Sequence, residues 1–200
     1  MDAPAFTPPY RKRLRRRESE QRPDCRFLTF SCFRRCPLFG VVSSDPVQTI
    51  FAAALDAARR RHGFSLYAWV VMPEHVHLLA RPRAGQVWAT LASSIKNITA
   101  KRGLAHLRAT GAPILEAIRT RDGAERFWQT GGGFDRTCRD EAEFCHAVRY
   151  IHRNPVERGL VTRPEDWRSS SVRWWMGERS REIECDAPPL KGLERWKGYR

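Results

Sequence analysis

The stretch from residue 64 to residue 80 constrains the fold more than any other part of the sequence. Phe64 to Met72 is nearly all apolar, and His75 to Ala80 follows after the short Pro73-Glu74 connection. Two strand-like runs separated by two residues predict an antiparallel hairpin. The chain is therefore expected to contain an antiparallel sheet, and the flanking segments indicate what completes it.

The flanking segments alternate between strand and helix patterns. Residues 26–33 are rich in aromatic and β-branched types and predict a first strand, and residues 127–137 predict an irregular one. Helices are predicted from Asp45 to about Arg61, from Val87 to Arg102, and from Asp140 to Asn154, where the following proline is expected to end the helix. The order predicts an α+β fold with an antiparallel sheet and helices packed on one face.

The domain organisation follows from composition along the chain. We predict a basic flexible arm over 1–24, one domain over 25–176 and a C-terminal tail over 177–200. Residues 103–126 carry Gly-Ala-Pro and Asp-Gly signals and are predicted to be loops. Trp167, Trp174, Trp175 and Trp196 are expected to pack against the sheet or to take part in binding.

The charge of the chain indicates an anionic partner. The 36 Lys and Arg residues outnumber the 22 Asp and Glu residues, which gives a net charge of +14. Such an excess is typical of proteins that bind nucleic acid or a membrane surface, although a GC-rich genome also enriches arginine. The basic arm is expected either to follow a nucleic-acid backbone or to make no fixed contacts. A second group of basic residues lies on or near the second predicted helix. The candidate phosphate contacts are Arg11, Lys12, Arg13, Arg15, Arg16 and Arg17 in the arm and Lys96, Lys101 and Arg102 on the helix.

Several classes of protein are disfavoured by the sequence. It contains no run of about 18 apolar residues, so no transmembrane helix is predicted. The N-terminus lacks the apolar core of a secretory signal, so a cytoplasmic location without membrane association is expected. The six cysteines form no C-x-x-C pair, which argues against a structural zinc site and predicts free thiols.

The second strand of the predicted hairpin carries two histidines. His75 and His77 are two apart, and residues two apart in a strand point to the same face. Two neighbouring imidazoles can share one metal ion, but H-x-H pairs also arise by chance on ordinary polar sheet faces. Glu74 is expected to point away from the histidine face and is not predicted to belong to the site.

The third predicted helix carries a tyrosine and an asparagine on one flank. Tyr150 and Asn154 are four apart, so their side chains are neighbours, while Phe144, Val148 and Ile151 form the apolar face. A tyrosine beside a metal-coordinating amide can act as a nucleophile. The alternative interpretation is a tyrosine at the edge of the core and an asparagine that caps the helix.

Several ordered motifs in this chain resemble those of known transposases. Residues 68–79, AWVVMPEHVHLL, resemble the MPNHVH block of single-tyrosine transposases of the HUH superfamily. Residues 150–161, YIHRNPVERGLV, resemble the YIHxNPVxxGLV block of REP-associated tyrosine transposases, and residues 164–170 resemble the PEDWxxSS run that follows it. Residues 127–136 resemble the stretch between the two blocks. The resemblance covers roughly residues 26–175.

The resemblance implies a fold, a reaction and a set of site residues. It implies a ferredoxin-like antiparallel sheet, His75 and His77 as metal ligands, Asn154 as a third ligand and Tyr150 as the nucleophile. The metal would be Mg²⁺ or Mn²⁺. The reaction would cut and rejoin single-stranded DNA at palindromic hairpins through a 5′-phosphotyrosine intermediate, in a monomer or a homodimer. The alternatives are a non-enzymatic or domesticated single-stranded nucleic-acid-binding protein and a metal-dependent phosphodiesterase that activates water.

Three features depart from the pattern of that family. Gly131-Gly132-Gly133 stands where many relatives have a bulkier and often basic residue, and residues 104–126 form a longer connection than usual. The arm before residue 25 has no counterpart in the family pattern. These departures bear on DNA specificity more than on the chemistry of the site.

Overall fold

The computed structural model describes residues 24–42, 45–131, 133–178 and 183–189. Its centre is a four-stranded antiparallel sheet in the order β2-β3-β1-β4. The strands are β1 (Arg26–Ser31), β2 (Ser65–Met72), β3 (His75–Arg81) and β4 (Phe134–Thr137). The α-helices are α1 (Pro46–His62), α2 (Trp88–Ala109), α3 (Ile114–Ala117), α4 (Glu141–Glu157) and α5 (Val172–Trp175). Short 3₁₀ turns cover Phe33–Arg35 and Pro164–Asp166.

The sheet confirms the predicted hairpin and the predicted α+β class. Strands β2 and β3 pair antiparallel, with Met72 opposite His75 across the two-residue turn. The order β1-α1-β2-β3-α2-β4 is that of a ferredoxin-like split βαβ unit. Helices α1 and α2 pack on the sheet face that carries residues such as Phe30 and Leu78. Helix α4 follows this unit and packs on the opposite face, where its apolar residues meet side chains such as Phe27 and Leu79. The prediction that the helices pack on one face therefore holds for α1 and α2 but is wrong for α4, because both faces of the sheet are apolar.

Helix α1 shows why the sequence folds locally as predicted. Asp45 caps the helix because its side chain accepts a hydrogen bond of 2.9 Å from the Val47 N–H, and Pro46 occupies the first turn. Gly63 ends the helix in a left-handed conformation, with φ of 66°. The helix buries an apolar stripe that includes Phe51 and Leu55.

Two predicted helix ends are wrong. Helix α2 continues to Ala109, so residues 103–109 are helical and not a loop, and α3 lies within the same predicted loop. Gly103 fits the interior of α2 because Phe127 packs so closely that an added Cβ would lie 2.7 Å from its ring. Helix α4 continues past Pro155 to Glu157, because a proline removes only its own N–H from the helical ladder and later N–H groups still bond to Asn154 and Pro155.

One of the three consecutive glycines has a clear steric role. Gly133 has φ of 82°, and a Cβ at this position would lie 2.0 Å from the carbonyl oxygen of Thr29. Only glycine therefore allows the chain to approach strand β1 this closely before β4 begins.

The segment after α4 covers the edge strand β2. The Val71 N–H donates to the Ser169 carbonyl (2.9 Å), and the Trp167 indole N–H donates to the Val71 carbonyl (2.9 Å). The Trp175 indole N–H donates to the carbonyl of Tyr67 (2.9 Å), so the tryptophans at 167 and 175 pack against the sheet as predicted. Trp196 and the predicted arm up to residue 23 lie outside the described residues, and the predicted domain boundaries stay predictions. None of the helices described has both the length and the hydrophobicity of a membrane-crossing segment.

A buried histidine joins α4 to this covering segment. The Nε2 atom of His152 lies 2.8 Å from the Ser171 hydroxyl, and the side chain is fully buried. Burial lowers the pKa of His152 from 6.5 to about 3. The folded protein therefore keeps this imidazole neutral, whereas the unfolded chain takes up a proton below pH 6.5.

We predict that His152 makes the protein less stable in mild acid. The unfolded state binds the additional proton between pH 6.5 and about 3, so the free energy of unfolding falls as the pH falls through that range. Between pH 7 and pH 5 the wild type should lose about 2 kcal/mol more than His152→Gln, as measured by urea unfolding at both pH values. Equal losses in the two proteins would contradict this assignment.

Candidate metal and tyrosine site

The two histidines of β3 lie together beneath helix α4, on the same face of the sheet as predicted. Both are buried, with 5% of His75 and 4% of His77 exposed. Their Nε2 atoms face each other at 3.0 Å. The strand alternation therefore brings two nitrogen donors to one point.

A threonine of strand β1 holds the ring of His77. Thr29 lies directly opposite His77 in the β1–β3 pairing, and its hydroxyl is 2.8 Å from His77 Nδ1. Burial lowers the pKa of His77 well below its ordinary value, and the neighbouring His75 and then Arg35 lower it further. His77 is therefore a neutral imidazole, which is the form that binds metal ions.

Glu74 belongs to the site, so the prediction that it points away is wrong. Its carboxylate Oε1 lies 3.1 Å from His75 Nδ1 and accepts a hydrogen bond of 2.8 Å from Arg158. Burial opposes ionisation, but the bonds from His75 and Arg158 outweigh it and lower the pKa of Glu74 to about 2. The alternation rule failed because Glu74 lies in the turn before β3, where side chains do not follow the pleat of a strand.

Helix α4 brings the predicted tyrosine to the histidines. The ring centroid of Tyr150 lies 5.3 Å from that of His77 and 5.7 Å from that of Phe27. Burial raises the pKa of Tyr150, and a side-chain hydrogen bond with Asn154 acts in the opposite direction. The expected proximity of residues four apart on the helix is therefore found.

The Asn154 side chain has an oxygen available for a further contact. Asn154 is 5% exposed, and its Oδ1 atom is buried without a hydrogen-bond partner in the described part of the chain. A buried carbonyl oxygen normally has a partner, so an unsatisfied one indicates a site for a ligand or water. This oxygen belongs to the residue that also bonds the tyrosine.

The donor set fits a hard or intermediate divalent cation. Two ligand atoms that lie about 2.1 Å from one ion at a right angle are about 3.0 Å apart, which matches the separation of the two Nε2 atoms. The described residues include no group of three His, Cys, Asp or Glu side chains that could hold a metal ion, so a cation at the two histidines would take its remaining ligands from an amide oxygen, water or substrate. Imidazole nitrogens with an amide oxygen suit Mn²⁺ and accommodate Mg²⁺.

An open cavity lies beside Tyr150. Its volume is about 290 Å³, and it lies between α4, β1 and the end of β4. The residues that line it are Phe27, Arg136, Cys138, Ala142, Glu143, His146, Ala147 and Tyr150. A ligand can therefore reach the tyrosine from this side without displacing the helix.

The predicted phosphate contacts on α2 lie away from this site. Helix α2 covers the opposite sheet face, and the ammonium of Lys96 lies 5.8 Å from the Phe30 ring and 5.9 Å from the Trp128 ring. Burial lowers the pKa of Lys96, while Lys101 and Arg102 are exposed. Their role in phosphate binding stays a prediction, as does that of the basic run Arg11–Arg17, which lies outside the described residues.

Comparison with solved structures defines the class of fold. A structure of a REP-associated tyrosine transposase bound to a REP hairpin superposes with a TM-score of 0.59, at 21% sequence identity, over 93% of this chain and 96% of that one. The chain therefore has the fold of that transposase.

Sequence comparison finds a relative of the same name. The REP-associated tyrosine transposase of Escherichia coli (strain K12) is 29% identical over 114 residues, which are 57% of this chain and 58% of that protein. This match confirms the resemblance indicated by the sequence motifs. It extends over little more than half the length of the relative. No protein-family model matches the chain.

We predict that Glu74 and Arg158 stabilise the fold jointly. Arg158 is half exposed, so solvent screens the pair, and a coupling energy of about 1 kcal/mol is expected. Urea unfolding of Glu74→Gln, Arg158→Met and the double variant measures it. Additive effects of the two substitutions would contradict the contact.

Proposed function

We propose that this protein is a single-tyrosine transposase that cleaves and rejoins single-stranded DNA, with Tyr150 as nucleophile and a divalent cation held by His75, His77 and Asn154. The observation that carries the proposal is the Tyr150 ring packed against His77, whose Nε2 atom faces that of His75. One helical turn from the tyrosine, the buried amide oxygen of Asn154 has no partner among the described residues.

We further propose that the substrate is a DNA hairpin with single-stranded flanks. The solved transposase with this fold is bound to a REP hairpin, which supports the same class of ligand here. The net charge of +14 supplies the electrostatic attraction that phosphate backbones require.

The chain's own residues would prepare the site for this chemistry. Thr29 and Glu74 hold the Nδ1 atoms of the two histidines, and such outer hydrogen bonds fix the ring orientation and proton position of metal-binding imidazoles. A cation bound by the three donors would neutralise and polarise the scissile phosphate. Asn154 also bonds the Tyr150 hydroxyl and so orients the nucleophile.

The covalent step exchanges one phosphoester bond for another. The Tyr150 hydroxyl oxygen loses its proton and bonds to the phosphorus, while the bond from phosphorus to the 3′ oxygen breaks. The 3′ oxygen takes up a proton, which leaves a free 3′-hydroxyl and a 5′-phosphotyrosine. Because one phosphoester replaces another, a 3′-hydroxyl can later attack the phosphotyrosine and rejoin the strands without an energy source.

We predict that the metal donors act together. His75→Ala, His77→Ala and Asn154→Ala should each weaken Mn²⁺ binding by at least 10-fold in calorimetry of the DNA-free protein. Glu74→Gln should weaken it by about 10- to 100-fold, because it removes the carboxylate that orients His75. His106→Ala, on α2, is the matched control and should bind like wild type. Unchanged affinity in the β3 variants would contradict the proposed ligand set.

We predict that Tyr150→Phe abolishes a covalent adduct without unfolding the protein. The substitution removes only the hydroxyl and keeps the ring against His77 and Phe27. The probe is a 3′-end-labelled hairpin with single-stranded flanks, taken from short palindromic repeats near the gene and incubated with Mn²⁺. A denaturing gel should show a shifted band for wild type and none for the variant.

A second tyrosine provides the matched control for this experiment. Tyr67 is buried against Phe144, so Tyr67→Phe should form the adduct at the wild-type rate. Cleavage without an adduct in wild type would instead indicate a phosphodiesterase that activates water. Binding without cleavage would indicate a non-enzymatic single-stranded nucleic-acid-binding protein.

A further inference from the structure

The turn after strand β1 contains two arginines in an unusual backbone conformation. Arg34 and Arg35 have φ of 53° and 57°, and they are the only non-glycine residues with positive φ in the described part of the chain. This region is sterically unfavourable for residues with a Cβ, and glycine or asparagine usually occupies it. Residues that keep such a conformation cluster at functional sites.

Neighbouring elements fix this turn in place. The Cys32 N–H donates to the Glu74 carbonyl (2.9 Å), and the Phe33 N–H donates to the Phe127 carbonyl (2.8 Å). The Arg34 N–H donates to the Gln129 side chain (3.2 Å), and the Arg35 N–H donates to the Cys32 carbonyl (3.1 Å). The directions of the two arginine side chains are therefore set by the fold.

The guanidinium groups of the two arginines bond to different parts of the structure. The Arg34 guanidinium donates to the Ala117 carbonyl (3.0 Å), at helix α3. The Arg35 guanidinium donates to the hydroxyl of Ser31 (3.1 Å), and Ser31 lies directly opposite His75 in the β1–β3 pairing. Only Arg35 is thus held at the end of the sheet where the histidines lie.

The Arg35 guanidinium lies beside the site, because the hydroxyl that it bonds belongs to Ser31, the strand neighbour of His75. Arg158, the other nearby arginine, is paired with Glu74. Within the described residues Arg35 has no carboxylate within ion-pair distance, so its positive charge is available to an anion.

We infer that Arg35 binds the DNA phosphate at which Tyr150 reacts, contacting its non-bridging oxygens. The inference rests on the proposed function. A guanidinium forms charge-assisted hydrogen bonds to phosphate oxygens, and these strengthen when negative charge grows on the oxygens during attack. The left-handed turn follows strand β1 directly, and from it the Arg35 side chain bonds back to Ser31 at the end of that strand.

Glycine substitutions separate this role from a structural one. Arg35→Gly and Arg34→Gly each remove one positive charge. Each also removes the Cβ from a position with positive φ, a conformation that glycine adopts without strain. The two variants should therefore melt within a few degrees of each other. Arg34→Gly is the matched control for function.

The first measurement is binding to the 20-mer of thymidylate, dT20, in EDTA, which requires no cleavage. Arg35→Gly should reduce the slope of log affinity against log salt by about 0.7, the value of one phosphate contact on a single strand, and Arg34→Gly should leave it unchanged. An Arg35→Gly slope equal to that of Arg34→Gly overturns the inference.

The second measurement is the rate of adduct formation in Mn²⁺ with the hairpin probe. Arg35→Gly should react about 100-fold more slowly than Arg34→Gly on a normal phosphate. The scissile position is first located from the wild-type adduct. A neutral methylphosphonate placed there should reduce the difference in rate between Arg34→Gly and Arg35→Gly to a few-fold, because this group carries no negative charge for Arg35 to bind. A difference that persists on methylphosphonate overturns the inference. The absence of a wild-type adduct overturns the proposed function instead, and this inference with it.

Discussion

Two imidazoles buried side by side are the constraint around which the rest of the structure is arranged. Buried polar groups destabilise a fold unless each donor and acceptor has a partner. The carboxylate of Glu74 fixes a proton on His75 Nδ1, so His75 Nε2 accepts from His77 Nε2, and the Thr29 hydroxyl donates to His77 Nδ1. The proposed cation would require the lone pairs of both Nε2 atoms, which places the His77 proton on Nδ1. Thr29 can then accept a hydrogen bond from His77 Nδ1, because a hydroxyl can donate or accept. The residue types at Thr29 in β1 and at Glu74 in the turn before β3 thus follow from one histidine pair.

Helix α4 completes the site because its polar flank lies to one side of the apolar face that packs on the sheet. Its face with Phe144, Val148 and Ile151 packs on the sheet, and the flank that carries Tyr150 is thereby brought against His77. The ferredoxin-like unit leaves this sheet face open, since α1 and α2 cover the other one. The helix therefore both covers the apolar residues on this sheet face and carries the proposed nucleophile.

Local periodicity predicted the parts of the site that lie on regular elements. The same-face pair on β3 follows from strand alternation, and the Tyr150–Asn154 pair follows from helical spacing. Glu74 was not predictable in this way, because it lies in a turn and its partner Arg158 is 84 residues away. Arg35 had no sequence signal either, since an arginine gives no indication of a left-handed backbone. The length of α2 was missed because Gly103, usually a helix breaker, is held by its packing against Phe127.

The balance of charge in the site gives a reason why the proposed reaction would use a further cation near Tyr150. The His77 imidazole is neutral, the Asn154 amide is neutral, and the negative charge of Glu74 is offset by Arg158. These residues alone would offer little net attraction to a phosphodiester, and burial makes Tyr150 harder to ionise. A metal ion held by the proposed protein ligands would place its positive charge at one point. The phosphate spreads its negative charge over several oxygens, and some of them would point away from the metal. The Arg35 guanidinium has no carboxylate partner among the described residues and would meet that second requirement in the inferred role, which gives a reason for an arginine in a conformation that would suit glycine better.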